Sequence, residues 1–180
     1  GYKEYRRSVV ALLEQQPLQL QFRAVCGTTG SGKTRLLQHL EQAGAQVLDL
    51  ERLAAHRGSV LGGLPTEPQP SQKMFESRLW QALRGFSPER VVYVESESKK
   101  IGDVRVPDKL MERIRSSDCV RVDTRMADRV ALLIEDYPHL VDDTGLLATQ
   151  LGHLVQLHGH EKINRWTQLA REGHTAEMVE

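Results

Sequence analysis

Gly27-Thr28-Thr29-Gly30-Ser31-Gly32-Lys33-Thr34 follows an alternating stretch marked by Leu18, Leu20, Phe22 and Ala24, and precedes Leu36, Leu37, Leu40 and Ala43 at helical spacing. The octapeptide fills every position of the P-loop pattern G-x-x-x-x-G-K-[ST] in a strand–loop–helix setting. Glycines let the backbone curl with its N–H groups turned toward an anion. A helix opening near Gly32 adds the positive end of its dipole. Lys33 brings a mobile point charge for outer phosphate oxygens. The hydroxyl of Thr34 suits Mg²⁺. Gly27, Thr28, Thr29, Gly30, Ser31, Gly32, Lys33 and Thr34 are therefore the candidate phosphate-binding residues.

Outward from this loop, Gly44 ends the helix and Gln46–Leu50 (QVLDL) reads as a second strand. Residues 57–70 hold three glycines and three prolines and form a long loop, of a length that in a compact domain usually carries function. Ser71 caps a helix with Phe75, Leu79, Leu83 and Phe86 on its buried face. Val91–Glu95 (VVYVE) has the unbroken apolar character of a central parallel strand. Polar residues 96–106 precede a helix from Pro107, and Cys119–Val122 is a fourth strand. Further helices follow, marked by Met126, Val130, Leu133, Ile134 and Tyr137, then Leu147, Leu151 and Leu154, then Ile163, Trp166 and Ala170. Near the start, Tyr5–Gln15 reads as a short helix stopped before Pro17. Strands alternating with helices predict an α/β fold, a P-loop NTPase-like three-layer sandwich with a parallel sheet and a C-terminal helical extension. The expected organisation is a linker helix over 1–17, the α/β domain over 18–141 and the helical extension over 142–180.

Lys plus Arg equals Asp plus Glu at 24 each, which excludes a uniformly basic nucleic-acid sleeve and an acidic disordered tail. Residues 135–180 nevertheless carry a net charge of −5 and five of the seven histidines, so the body is moderately basic. None of those histidines has a strong metal spacing. No apolar run approaches the ~18 residues of a membrane span. Cys26 and Cys119 lack a C-x-x-C spacing and read as two separate buried thiols of a reducing, cytoplasmic protein. The opening Gly-Tyr, with no Met, suggests the interior of a longer protein.

Such a loop needs an acid at the end of a neighbouring strand. Glu95 ends VVYVE, with Glu97 two residues on; Asp49 and Glu51 follow the second strand and would emerge at the same carboxyl edge. Lys33, Glu95 and Asp49 are the candidate catalytic residues, and Thr34 with Glu95 the candidate Mg²⁺ ligands. Arg121, Arg125 and Arg129 lie where small-molecule kinases carry lid arginines; Arg129 is taken as the phosphate contact, against an exposed helix face paired with Asp123 or Asp128. No N-K-x-D segment reads guanine.

Five segments together closely resemble the P-loop domain of bacterial tRNA 2-selenouridine synthases: CGTTGSGKTRLL (Cys26–Leu37), VLDLERLAAHRGSVLGG (Val47–Gly63), QPSQKMFESRLW (Gln69–Trp80), VYVESESKKIGDVRVP (Val92–Pro107) and ALLIEDYPHLV (Ala131–Val141). The resemblance implies action on the wobble 2-thiouridine of tRNA. Geranyl diphosphate alkylates the thione sulfur, and selenium from selenophosphate then displaces the S-geranyl group. It also implies a rhodanese-like domain of the same full-length protein, with its own cysteine, before residue 1, and further chain after Glu180. Arg57, Gln72, Lys73, Lys99, Lys100 and Arg105 are the candidate RNA contacts, and Val60, Leu61, Leu64, Met74 and Phe75 the candidate lining of a prenyl slot. Two rivals stand beside this expectation, a nucleotide-gated RNA-binding module holding ATP or GTP and a P-loop small-molecule kinase.

Overall fold

Ala24 and Val25 at the heart of the first strand pair in parallel with Val94 and Glu95, and that pairing organises the molecule. The computed structural model describes residues 1–58, 62–63 and 67–179. The elements run α1 (Tyr2–Gln19), β1 (Gln21–Cys26), α2 (Lys33–Gln42), β2 (Gln46–Leu48), α3 (Leu50–Ala54), α4 (Gln72–Arg84), β3 (Val91–Glu95), β4 (Lys100–Ile101), β5 (Val104–Arg105), α5 (Asp108–Arg115), β6 (Asp118–Arg121), α6 (Met126–Asp136), α7 (Pro138–Asp142), α8 (Thr144–Gly152), α9 (Val155–His158), α10 (His160–Arg171) and α11 (Thr175–Val179). They fall into two compact units, Gly1–Gly27 with Lys33–Val122, and Thr28–Gly32 with the chain from Asp123 onward.

The first unit is a parallel sheet in the order β2-β3-β1-β6. Alternation along the strands sends Phe22, Ala24, Leu48, Val92 and Val94 to one face, where they meet Val9 and Leu13 of α1, Phe75, Leu79 and Leu83 of α4 and Leu110 of α5. Val25 and Val47 face the other way against Leu37 of α2. Helices cover both faces of an all-parallel sheet, the three-layer P-loop NTPase-like architecture expected from the alternating pattern. Ser71 caps α4 as its sequence position implied, its hydroxyl accepting from the Met74 N–H at 3.3 Å.

Several local expectations are corrected. α1 continues through Pro17 to Gln19 despite the N–H bond the proline forgoes. It is no free linker: Val9 is fully buried, and Arg113 of α5 donates to the carbonyls of Pro17 and Leu20 at 3.3 and 3.2 Å. The strand read at Leu18 therefore starts only at Gln21, and Leu18 is exposed. β2 stops at Leu48 because Asp49 turns to cap α3. The polar segment 96–106 contains a hairpin, β4–β5, whose Ile101 and Val104 are buried in the core beside α4. Cys26 and Cys119 are not separate buried thiols: parallel pairing sets Ala24 opposite Cys119, which brings Cys26, two residues on, within 6.2 Å (Cα–Cα), and the two form a disulfide. Cys119 lies on β6, an edge strand whose residues are all exposed.

The second unit is helical. α8 packs on α10, and α11 on α6 and α10, over Val130, Leu140, Leu147, Leu151, Ile163 and Ala170. Trp166, read as core, is only half-buried, with His158 edge-on at 5.1 Å and the Lys162 ammonium 5.0 Å from its ring. No helix among the described residues is long and apolar enough to cross a membrane.

Phe75 anchors the α1–α4–sheet layer with no exposed surface. Phe75→Ala is expected to lower stability by about 3–5 kcal/mol, read as a reduced midpoint in urea unfolding with an unchanged denaturant slope.

Candidate phosphate-binding site

β1 and β3 are neighbours in register, so the turn leaving Cys26 starts beside Glu95 at the carboxyl edge of the sheet. Lys33, first residue of α2, curls back over that turn. Its Nζ lies 3.1 Å from the Gly27 carbonyl oxygen and 3.3 Å from Glu95 Oε1. The Thr34 hydroxyl donates to Glu95 Oε2 at 3.2 Å. Lys33, Thr34 and Glu95, chosen from the sequence as separate parts of one site, are thus in direct contact, with Glu95 only 5% exposed.

Asp49 is placed differently. It is the N-cap of α3, its Oδ1 accepting from the Arg52 N–H at 2.8 Å and its Oδ2 3.8 Å from Arg52 Nε. Glu51, a turn into α3, is the residue that joins Glu95. Glu51, Glu95 and Glu97 bring carboxylate oxygens within 4.8 Å of one another. Burial, reinforced by Glu95, Glu97 and Asp49, pushes the Glu51 carboxyl up to about 8, with Lys33 pulling the other way. Burial also raises Glu97 to about 7, through the charge of Glu95 and a hydrogen bond with it. Three carboxyl groups and the Thr34 hydroxyl are hard oxygen donors, a set that fits Mg²⁺. Asp49 and Glu51 were equivalent in sequence; what separates them is that the first cap position of α3 consumes one and its first turn directs the other to β3.

Gly58 lies against two of these acids. Its φ is +60°, which favours glycine, and a Cβ there would stand 2.5 Å from Glu97 Oε2 and 2.8 Å from Glu51 Oε1, so a side chain would push both carboxyl groups aside.

Residues Thr28–Gly32 are braced within the second unit. The Thr29 carbonyl accepts from Arg129 Nε and Nη2 at 3.2 and 3.1 Å, and the Ser31 carbonyl from the Thr124 hydroxyl at 2.7 Å. The Ser31 N–H donates to the Thr28 carbonyl at 3.1 Å. Ser31 is 3% exposed, and its hydroxyl has no partner among the described residues, an orphaned polar group of the kind an anion would satisfy. Arg125 is paired with Asp128 at 2.8 Å, and Arg121 lies exposed on β6.

Of the RNA-contact candidates, Lys100 and Arg105 are cross-strand partners on the hairpin and both exposed. Two like charges directly opposite destabilise a ladder unless an anion is near. Lys73 is exposed on α4, and Lys99 is paired with Asp108. Gln72 has its amide engaged inside the fold: it accepts from the Arg105 N–H and donates to the Arg105 carbonyl, both at 2.8 Å, and donates to Glu76. Gln69, which carried no role in sequence, does the same at the hairpin turn, bonding Ile101, Asp103 and Ala54. Arg57 is half-buried, its N–H donating to the Gly62 carbonyl at 2.8 Å. Val60, Leu61 and Leu64 lie outside the described residues; Met74 is exposed, and Phe75 belongs to the core.

The family model described as the tRNA 2-selenouridine synthase AAA domain matches residues 20–163. Among curated proteins, the chain is 38% identical over 140 residues to a tRNA 2-selenouridine synthase of Nitrosomonas europaea, covering 76% of this chain and 36% of that protein. It is 40% identical over 139 residues to that of Marinobacter nauticus, covering 76% and 36%. To that of Nitrosomonas eutropha it is 35% identical over 159 residues, covering 87% and 38%. The chain thus spans little more than a third of the length of the relatives it matches. No solved structure matches it.

Glu51 and Glu97 keep protons in the folded chain that the unfolded chain releases near 4.5. Stability present below that value is therefore lost as pH rises toward about 8. Without divalent cations, the urea midpoint is expected to fall between pH 5 and 8, and Glu51→Gln to flatten that fall. Gly58→Ala is expected to destabilise by about 1–2 kcal/mol through backbone strain alone and to weaken Mg²⁺ binding by displacing both carboxyl groups, read by calorimetric titration.

Proposed function

The chain belongs to the tRNA 2-selenouridine synthase AAA-domain family, and from that premise we propose that it is the geranyl-transferring part of a tRNA-modifying enzyme. In this reading Gly27–Thr34 holds the diphosphate of geranyl diphosphate, and the acceptor is the sulfur of wobble 2-thiouridine in tRNA. In the full-length protein, selenium from selenophosphate then replaces the S-geranyl group, with a rhodanese-like domain as the partner for that step. The tRNA substrate implies a cytoplasmic site of action.

The observation that carries the reading is the contact of Lys33 with both Gly27 and Glu95, a cation folded over a glycine-rich turn at the end of a parallel strand. During transfer the thione sulfur forms a bond to the geranyl C1 while the C1–O bond breaks. Pyrophosphate leaves with the electron pair, and the alkylated base loses its N3 proton to solvent. Negative charge grows on the departing oxygen, and in this reading Lys33 and the loop N–H groups stabilise it. Mg²⁺ held by Thr34 and Glu95 would add Lewis-acid neutralisation of the same diphosphate. Glu51 and Glu97 enlarge that oxygen set beyond Glu95. The sulfur is already nucleophilic, so Asp49 is better assigned to capping α3 than to acting as a base. Lys73, Lys100 and Arg105 offer exposed charge for the RNA backbone, with Lys99 next to Lys100 in sequence, Gln72 holding the hairpin that carries Lys100 and Arg105, and Arg57 a further, half-buried contact in this reading.

Calorimetric titration of the chain with geranyl diphosphate and with ATP, each with Mg²⁺, tests the proposal, together with mass spectrometry of a thiouridine-containing RNA after incubation. The expected result is prenyl diphosphate binding and a mass gain of one geranyl group. Lys33→Ala is expected to weaken diphosphate binding about 10–100-fold, the loss of one charged hydrogen-bonding group. ATP binding with phosphate release, and none for geranyl diphosphate, overturns the proposal.

A further inference from the structure

An anion-binding loop works only if its peptide planes face the right way. Each trans peptide carries a carbonyl on one side and the next residue's N–H on the other. A plane that turns over offers a phosphate its oxygen instead of its hydrogen, and attraction becomes repulsion. No cis peptide occurs among the described residues, so the direction of each carbonyl sets that of the following N–H.

In Thr28–Gly32 two carbonyls are tied down by side chains of the same unit. Arg129, in the first turn of α6, places Nε and Nη2 on the Thr29 oxygen at 3.2 and 3.1 Å. Thr124, just before that helix, donates to the Ser31 oxygen at 2.7 Å. The N–H groups of Gly30 and Gly32 must then point away from Arg129 and Thr124. The intervening Ser31 N–H is already bonded to Thr28 inside the turn. The loop also lies tightly on α6: Gly30 has φ +75°, and a Cβ there would stand 2.6 Å from Leu133 Cγ and 3.1 Å from the Arg129 carbonyl oxygen. The neighbouring acid, Asp128, is paired with Arg125.

We propose that Arg129 and Thr124 are positioning residues that set the Thr29–Gly30 and Ser31–Gly32 peptide planes, so that the Gly30 and Gly32 N–H groups are preset to donate to a diphosphate. The inference rests on the reading of this loop as a diphosphate cradle and deepens it. Arg129 acts through the loop carbonyl and does not touch the anion.

The probe is inorganic pyrophosphate with Mg²⁺, titrated calorimetrically into the full chain and followed in ¹⁵N-glycine spectra. In the unaltered chain the Gly30 and Gly32 amide protons are expected to move downfield on binding. Thr124→Val, which removes the hydroxyl at constant shape, and Arg129→Ala are each expected to weaken binding about tenfold, the effect of losing one well-made hydrogen bond. Thr124→Ser keeps the hydroxyl and is expected to stay within about twofold of the original affinity on the same grounds. Arg129→Ala is expected to shrink the downfield movement of the Gly30 amide proton on binding while leaving that of Gly32, because only the Thr29–Gly30 plane loses its tether. The inference is overturned if Thr124→Val binds as the unaltered chain does, if Thr124→Ser binds as weakly as Thr124→Val, or if Arg129→Ala leaves the movement of the Gly30 amide proton on binding unchanged. Thr124→Val decides the matter even where Arg129→Ala does not fold. An unaltered chain that binds no pyrophosphate overturns the cradle reading itself and this inference with it; binding by that chain with indifferent variants overturns this inference alone.

Discussion

The contact of Glu95 with Lys33 and Thr34 is the constraint on which the site depends. A carboxylate only 5% exposed is costly to bury and is tolerated when its oxygens are paired and hydrogen-bonded. Here Lys33 takes one oxygen and Thr34 the other. The pairing exists because β1 and β3 are adjacent and parallel, and because α2 begins directly after the turn that leaves β1. Shifting β3 by one residue would move Glu95 to the opposite face of the sheet. Register and site are therefore one structural fact: the apolar faces of Val92 and Val94 fix the strand, and the strand fixes the acid.

The surroundings of that contact depend on less regular parts of the chain. The β4–β5 hairpin is too short to stand alone, with two residues in each strand. It is secured from below by Ile101 and Val104 in the core and from the side by the amides of Gln69 and Gln72, which bond main-chain groups of the hairpin much as another strand would. Because those amides replace a missing ladder, the exposed partners Lys100 and Arg105 are held side by side despite their mutual repulsion.

Legibility in the sequence followed the range of the interactions. VVYVE was readable as a central strand, Ser71 as a cap and Gly27–Thr34 as the link from β1 to α2, since each is decided by neighbours a few residues away. Lys33, Thr34 and Glu95 were readable as a set because the motif presupposes an adjacent strand. The convergence of Glu51 and Glu97 on Glu95 was not, because it needs the direction in which the first turn of α3 leaves β2. Pairing of Cys26 with Cys119 was equally hidden, since it follows from the parallel register of an edge strand and not from spacing along the chain. The hairpin in 96–106 was missed because two-residue strands carry no periodicity to read. Continuation of α1 past Pro17 depended on Arg113, distant in sequence, accepting the duty of capping its end.

Three carboxyl groups facing one lysine give a site whose charges do not balance. With all three ionised it would be anionic and would repel a diphosphate, the opposite of what a glycine-rich cradle offers. Two remedies are open to the chain. Glu51 and Glu97 can keep their protons, which burial and mutual repulsion already favour. Alternatively, an ion of opposite sign can sit among the oxygens and be shared with the arriving phosphates. The first remedy suits the empty site and the second the filled one, because only a cation attracts both the acids and the diphosphate at once. A lone Glu95 paired with Lys33 would need neither. The additional acids therefore make sense as a device that leaves the cluster near neutral when their protons are kept and able to hold a cation when those protons are lost.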